Sequence, residues 1–209
     1  LAVLNYTSGT TSLSKGVMIP YRSLWSNTKF AADHLPFILA GDNIVCMLPM
    51  AHMYGLAFEV LNSVNKGCHI HFITRTPVPK IISEAFTTIK PKLILAVPLI
   101  IEKIIRKSIF PTAQTPKVKL LMKMPGIGKK VKEKICQHVM DVMGGNAYEV
   151  MVGGAGLNKE VEDFLLEIGF PITMGYGTTE TAPMITFSDY KDFVAGSCGT
   201  AVKHMEVKV

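Results

Sequence analysis

Cysteine is scarce in this chain: four among 209 residues, at Cys46, Cys68, Cys136 and Cys198, with no close pair. That excludes a disulfide-stapled secreted domain and suits a reducing cytosol. Long apolar runs are missing too. The longest nearly pure one, Leu93 to Ile101, contains Pro98 and reaches about half of the ~20 residues a spanning helix needs. No signal-peptide pattern opens the chain, and no internal repeat or low-complexity tract interrupts it. Charged residues are only 18% against 48% hydrophobic, which excludes disorder, because that much apolar side chain can offset the entropy of ordering. An initiating Met is also absent. The chain opens Leu-Ala-Val-Leu and ends in a strand-like run, Met205 to Val209, so a piece of a longer protein is expected.

A mean hydropathy of +0.30 fits a parallel sheet buried on both faces, with a surface turned toward a missing partner domain. Strand-like runs at Asn43–Leu48, Cys68–Ile73, Lys92–Val97 and Ala147–Val152 alternate with helix-period segments. In Pro77–Ile89 the residues Ile81, Ile82, Ala85, Phe86 and Ile89 share a face. Ile100, Ile101, Ile104 and Ile105 do the same in Leu99–Ile109. Asn158 can cap a helix with the stripe Val161, Phe164, Leu165 and Ile168, and Gly169 can end it. This order predicts an α/β fold, parallel-sheet-rich with helices on both faces. A linker between internal subdomains is expected near residues 110–117, where Pro111 and Pro116 fall. Charge is segregated. Residues 103–134 hold ten Lys or Arg against Glu133 alone, a net +9, which leaves −3 for the rest of a chain of net +6.

Ligands of such sheets sit on loops at the carboxyl ends of strands. Four stretches there can carry chemistry. Tyr6-Thr7-Ser8-Gly9-Thr10-Thr11-Ser12-Leu13-Ser14-Lys15-Gly16 follows an apolar run and precedes a helix-like segment. Its hydroxyls and Lys15 suit polyphosphate, although it lacks the residues of a Walker A loop; a polar turn that binds nothing is the alternative. Leu48-Pro49-Met50-Ala51-His52-Met53-Tyr54-Gly55 places His52 after a strand, able to meet a carboxylate or simply to be a satisfied histidine. Gly153-Gly154-Ala155-Gly156-Leu157 lets backbone approach a flat ligand or forms an ordinary turn. Gly175-Tyr176-Gly177-Thr178-Thr179-Glu180 offers a ring to stack on a base, hydroxyls for phosphate and a carboxylate for Mg²⁺. His69 and His71 share a strand face but have no third ligand nearby in sequence, which favours structural histidines.

Taken together, these stretches resemble the adenylate-forming superfamily of acyl-CoA synthetases, luciferases and peptide-synthetase adenylation domains. Thr7 to Val17 is similar to its Thr-Ser-Gly-Thr-Thr-Gly-x-Pro-Lys-Gly-Val loop, with Ser12 for Gly and Ser14 for Pro. Leu48–Gly55, Gly153–Leu157 and Gly175–Glu180 resemble its Leu-Pro-x-x-His-x-x-Gly, Gly-Gly-Ala-x-Leu and Gly-Tyr-Gly-x-Thr-Glu elements. Val97-Pro98-Leu99-Ile100-Ile101-Glu102-Lys103-Ile104 and Gly196-Ser197-Cys198-Gly199 resemble the long-chain fatty-acid branch, with Leu99 where Arg is usual. The resemblance implies a fragment of the AMP-binding large domain over residues 1–209, with ATP, Mg²⁺, a fatty acid and coenzyme A as ligands. It implies a phosphate loop of Thr7, Ser8, Gly9, Thr10, Thr11 and Lys15, and an adenine and acyl pocket of Gly153, Gly154, Ala155, Tyr176, Gly177 and Thr178. His52, Thr179 and Glu180 would be catalytic, Glu180 also holding the metal. The ribose-binding Asp and the C-terminal domain with its catalytic Lys would lie beyond Val209, so the fragment alone is not expected to turn over.

Two rival classes remain open. The Ser12 and Ser14 replacements fit a non-catalytic nucleotide-binding relative. Pro125-Gly126-Ile127-Gly128 resembles the hairpin of helix-hairpin-helix DNA binders, but Lys132 occupies the place of a small packing residue, and no nucleic-acid partner is expected. The basic segment 103–134, with Leu120, Leu121, Met122 and Met124 among its lysines, fits contact with an anionic membrane surface instead. A cytoplasmic, membrane-associated location is therefore expected.

Overall fold

A computed structural model describes residues 1–8, 14–203 and 205–208. Strands β1 (Val3–Ser8) and β2 (Ser14–Ile19) pair antiparallel, from Val3 opposite Ile19 to Ser8 opposite Ser14. The phosphate-loop sequence therefore lies between two strands and not, as expected, between a strand and a helix. Helix α1 (Tyr21–His34) begins only after Pro20. Gly9, Thr10, Thr11 and Ser12 lie outside the described residues.

The centre of the fold is a five-stranded parallel sheet of order β4-β3-β5-β6-β7. Its strands are β3 (Asn43–Cys46), β4 (His69–Phe72), β5 (Leu93–Ala96), β6 (Glu149–Val152) and β7 (Ile172–Met174). Side chains alternate across a strand, and here both sets are apolar. Val45, Ile94, Ala96, Val150, Val152 and Ile172 bury on one face, beneath α3 (Pro79–Ile89), α4 (Pro98–Ile104), α7 (Gly128–Val142) and α8 (Lys159–Glu167). Ile44, Leu93, Leu95 and Met151 bury on the other, against Ala31 of α1, against Leu35 just after it, and against Ala57 and Phe58. The latter pair belongs to a wide π-type turn, Gly55–Leu61, that runs into α2 (Asn62–Lys66). A small antiparallel sheet shares that second face: β8 (Tyr176–Gly177), β9 (Met184–Phe187) and β10 (Thr200–Ala201). The parallel sheet with helices on both faces is thus borne out, with the added sheet as the part that sequence periodicity did not reveal.

Local signals explain most element ends. Pro79 and Pro98 open α3 and α4, where a missing N–H costs nothing. The Asn158 side chain accepts from the Glu160 N–H as the cap of α8, and Gly169 follows at φ +72°. Residues 110–117 carry α5 (Phe110–Ala113) and the start of α6 (Pro116–Lys123), and Ala113 is buried in the same core as the sheet. Residues 205–208 form no strand. Lys132 pairs with Glu167 at 3.1 Å, so the Gly126–Gly128 corner packs α7 back on the domain. Where α7 ends, Gly144 has φ +97°, and a Cβ there would collide with the Phe86 carbonyl.

Phe86 is fully buried between α3 and the sheet, whereas Trp25 on α1 is 63% exposed. Phe86→Ala should cost about 3–5 kcal/mol of stability, and Trp25→Ala should stay within about 0.5 kcal/mol; urea unfolding of both variants checks the pair.

Candidate active site

Three loops and the hairpin converge above the carboxyl ends of the strands. The small cluster Ile19, Met53 and Ala182 is one junction. It joins β2, the loop carrying His52 and the loop carrying Glu180. A second junction is a shallow pocket of about 70 Å³ lined by Tyr54, Gly153, Gly154, Gly175, Tyr176, Gly177 and Met184, among others. The motif stretches, up to about 170 residues apart in sequence, therefore meet in one region.

In the hairpin, the register sets Thr7 directly opposite Lys15, with Ser8 opposite Ser14. Lys15 is exposed and Thr7 half-buried. The Asn5 side-chain amide donates to the Ala51 carbonyl at 2.8 Å, tying β1 to the His52 loop. His52 is exposed, and its backbone is held at both ends: its N–H donates to the Pro49 carbonyl, and its carbonyl accepts from the Leu56 N–H, each at 3.0 Å.

The glycines on the floor of the pocket sit close against their neighbours, most of all at Gly177. A Cβ on Gly153 would press on the Tyr54 ring at 3.3 Å, and one on Gly177 would collide with the Pro183 carbonyl. Tyr54 itself is fixed by its hydroxyl, which donates to the Met151 carbonyl at 3.0 Å. Burial, and then the nearby Glu59, push its phenol well above the usual tyrosine range. Gly154 and Ala155 are exposed on the rim, and the Tyr176 ring is 51% exposed, leaving a face open to a ligand.

The segment after Tyr176 folds into a single tight turn. Thr178 caps the 3₁₀ turn Thr179–Thr181: its N–H donates to the Thr181 hydroxyl oxygen at 3.1 Å, and that hydroxyl donates to the Thr178 carbonyl at 3.0 Å. The Thr178 N–H also donates to the Pro183 carbonyl at 2.9 Å. Thr179 is half-buried, and the Glu180 side chain is exposed on this turn.

Sequence reasoning missed the side chains that hold these loops. Glu59 sits in the π-type turn, fully buried, and accepts from the Met47 N–H at 3.2 Å and the Leu48 N–H at 3.0 Å. Those two amides lie just past the end of β3. Burial lifts the Glu59 carboxyl from the ordinary 4.5 to about 7, against the pull of those hydrogen bonds. The same acid helps burial push the Cys46 thiol up to about 12. Glu102, in α4, accepts from the Asn158 N–H at 2.8 Å, and Arg106 donates to the Asn158 side chain at 2.9 Å while pairing with Glu160. Together they fix the end of the Gly153–Leu157 loop. Asn27, buried in α1, reaches the Glu180 loop. A lone acid in the apolar run Gly55–Leu61 was a usable sign for Glu59; Asn27 had none.

Among the described residues, no three His, Cys, Asp or Glu side chains converge. A divalent cation at Glu180 would thus take most of its oxygens from phosphate and water, which is the usual habit of Mg²⁺. The exposed carboxylate beside the Thr178 and Thr179 hydroxyls fits that role.

Comparison with known proteins gives a consistent picture. A family model described as AMP-binding enzyme matches residues 1–209. The chain is 25% identical to long-chain-fatty-acid–CoA ligase 1 of Saccharomyces cerevisiae, over 100% of this chain and 32% of that protein. It is 27% identical to long chain acyl-CoA synthetase 8 of Arabidopsis thaliana, over 95% and 31%. It is also 26% identical to 4-coumarate–CoA ligase 2 of Solanum tuberosum, over 100% and 35%. The chain thus spans about a third of the length of these relatives. The fold matches the inhibitor-bound N-terminal domain of FACL13 from Mycobacterium tuberculosis with a TM-score of 0.68 at 20% identity, over 95% of this chain and 42% of that one. It matches O-succinylbenzoate coenzyme A synthetase from Bacillus subtilis, in complex with ATP and magnesium, equally well, over 95% and 35%.

Glu59 and Glu149, the latter buried and accepting from the Tyr190 N–H, both have carboxyls lifted from 4.5 to about 7 by burial. A group with its pKa raised on folding binds more protons in the folded state, so stability falls as pH rises from about 4.5 to about 7. Glu59→Gln removes one of the two contributions. Wild type should therefore lose stability relative to Glu59→Gln across that window and keep a constant gap above it, as read from urea midpoints at several pH values.

Proposed function

The chain belongs to the AMP-binding enzyme family, and on that premise we propose that the full-length protein is an acid–thiol ligase. It activates a fatty acid with ATP and passes the acyl group to coenzyme A. The observation that carries this is the meeting of the hairpin, the His52 loop, the glycine floor and the Glu180 turn over the strand ends. A long acyl chain is supported by the Val97–Ile104 segment and by the yeast and Arabidopsis relatives, a long-chain-fatty-acid–CoA ligase and a long chain acyl-CoA synthetase.

In the first step a carboxylate oxygen attacks the α-phosphorus of ATP, forming a P–O bond as the bond to pyrophosphate breaks. In the second a thiol attacks the acyl carbon and AMP leaves. The first step spreads negative charge over phosphate oxygens, so the burden on the protein is positioning and electrostatic stabilisation. Lys15 and Thr7, opposite each other in the hairpin, would grip the outer phosphates together with Ser8, Gly9, Thr10 and Thr11. Tyr176 would stack on adenine over the glycine floor of Gly153 and Gly177, beside Gly154, Ala155 and Thr178. Thr179 would contact the α-phosphate, and Glu180 would hold Mg²⁺, which when bound would neutralise phosphate charge. His52, exposed beside the same junction, would face the carboxylate.

The helical corner between α6 and α7 supports a further element, contact with an anionic membrane surface. Leu120, Met124 and Ile127 are 65%, 40% and 47% exposed there, and Lys117, Lys130 and Lys134 have no carboxylate within 4.0 Å among the described residues. Apolar tips ringed by lysines suit an interfacial site. Sedimentation with phosphatidylserine vesicles should be strong, and should be lost in a Leu120→Ser/Ile127→Ser double variant and at about 0.5 M salt.

The adenylation step is tested by carboxylate-dependent exchange of pyrophosphate into ATP, with acids from acetate to palmitate. Exchange should appear with long chains and fall by about 10²-fold or more in Glu180→Gln. No exchange with any acid, in a protein that still binds ATP, would favour a non-catalytic nucleotide-binding role.

A further inference from the structure

The Asn27 amide is the only side chain of α1 that reaches the Glu180 loop through hydrogen bonds among the described residues. Its Oδ1 accepts from the Met184 N–H at 2.9 Å, and its Nδ2 donates to the Thr181 carbonyl at 3.1 Å. A third bond, from Nδ2 to the Ser23 carbonyl at 3.1 Å, anchors the side chain to its own helix. Asn27 is 5% exposed, so each of these bonds forms where water competes little. The two contacts across the gap bracket the segment Thr181 to Met184, which begins one residue past Glu180.

Within that bracket lies Ala182, fully buried with φ +64°. A residue with a Cβ in the left-handed region stores strain, and it persists only where its surroundings over-determine it. The Thr181 hydroxyl bonds close the turn on itself, but only Asn27 joins it by hydrogen bonds to α1. Met184, whose amide Asn27 holds, lines the pocket beside Tyr176 and Gly177.

We propose that Asn27 is a positioning residue for the adenylation step: it holds the Thr178–Met184 turn against α1 so that Glu180 is presented to the metal and phosphates in one orientation. This rests on the activity proposed above, and it extends that activity to a helix that no motif marks.

The control is Thr28, the neighbouring buried polar residue, whose hydroxyl bonds, among the described residues, only to the Leu24 carbonyl of the same helix. Asn27→Ala, Asn27→Asp and Thr28→Ala are compared in the full-length protein. Asp keeps the acceptor for the Met184 N–H but turns a carboxylate oxygen toward the Thr181 and Ser23 carbonyls, which repel it, so it should disturb both readings at least as much as Ala. In Asn27→Ala, amide hydrogen exchange at Thr178 and Met184 should quicken about tenfold, and the KM for Mg-ATP in pyrophosphate exchange should rise by a similar factor with the KM for the carboxylate unchanged. Thr28→Ala should leave both readings at wild-type values. Equal quickening in both Ala variants, or a carboxylate KM that moves as much as that for Mg-ATP, would overturn the proposal. Should Asn27→Ala fail to fold, Asn27→Asp decides by the same two readings. A wild-type protein with no exchange activity would sink the proposed reaction alone, because hydrogen exchange still decides whether Asn27 holds the turn.

Discussion

Parallel strands that stop beneath a loop leave backbone amides with no ladder partner, and buried amides left unpaired are costly. That constraint organises the candidate site. The ladder of β3 ends at Cys46, and the next two N–H groups are taken by Glu59. The loop after β6 ends at Asn158, whose N–H is taken by Glu102. After the turn that follows β8, the Met184 N–H is taken by Asn27. Further along, the Gly196 N–H meets both oxygens of Glu162, and the Tyr190 N–H meets Glu149. In each case the acceptor comes from an element outside the loop it holds. Loop position is therefore set by the packing of helices, the π-type turn and β6, which the hydrophobic core fixes.

Using carboxylates for this has an electrostatic consequence. Glu59 and Glu149 lie in apolar surroundings, and two amide donors or fewer do not replace the water they lose. Their carboxyls therefore rest higher than usual. Around Glu59 the effect spreads to Cys46 and Tyr54, which are pushed further toward their neutral forms. Behind the pocket, burial first and Glu59 second hold Cys46 and Tyr54 neutral, whereas Lys15, His52 and Glu180 are exposed to solvent.

The parts of this arrangement legible in the sequence are those written by short-range rules. Period-2 and period-3.6 apolar patterns mark β3, β5, β6, α3 and α8 because each buries a continuous face. The residues of the candidate site are legible because their chemistry is concentrated in short runs of glycine, hydroxyl and charge. What was not legible depends on long-range pairing. The hairpin of β1 and β2 shows no hydrophobic stripe, since Leu4, Tyr6 and Met18 are exposed. The helices across residues 110–117 contain two prolines, and each proline sits in the first turn of a helix, where it is tolerated. Asn27 lies in the middle of a helix, a place where Asn is a poor choice by propensity; its reason is a partner 154 residues away.

The hairpin also bears on the two serines that depart from the family pattern. Ser14 stands where the family has Pro. It is the first residue of β2, in register with Ser8 at the last pair of the ladder. A strand's first residue tolerates Pro, and a residue with an N–H fits there equally well, so this exchange leaves the strand pairing intact. What it relaxes is the fixed φ that Pro would impose where the chain enters β2. Thr7 and Lys15 lie one pair further in, opposite each other, where the ladder rather than the loop sets their separation. Thr7 and Lys15 are therefore placed by strand register, which a change at position 14 does not alter.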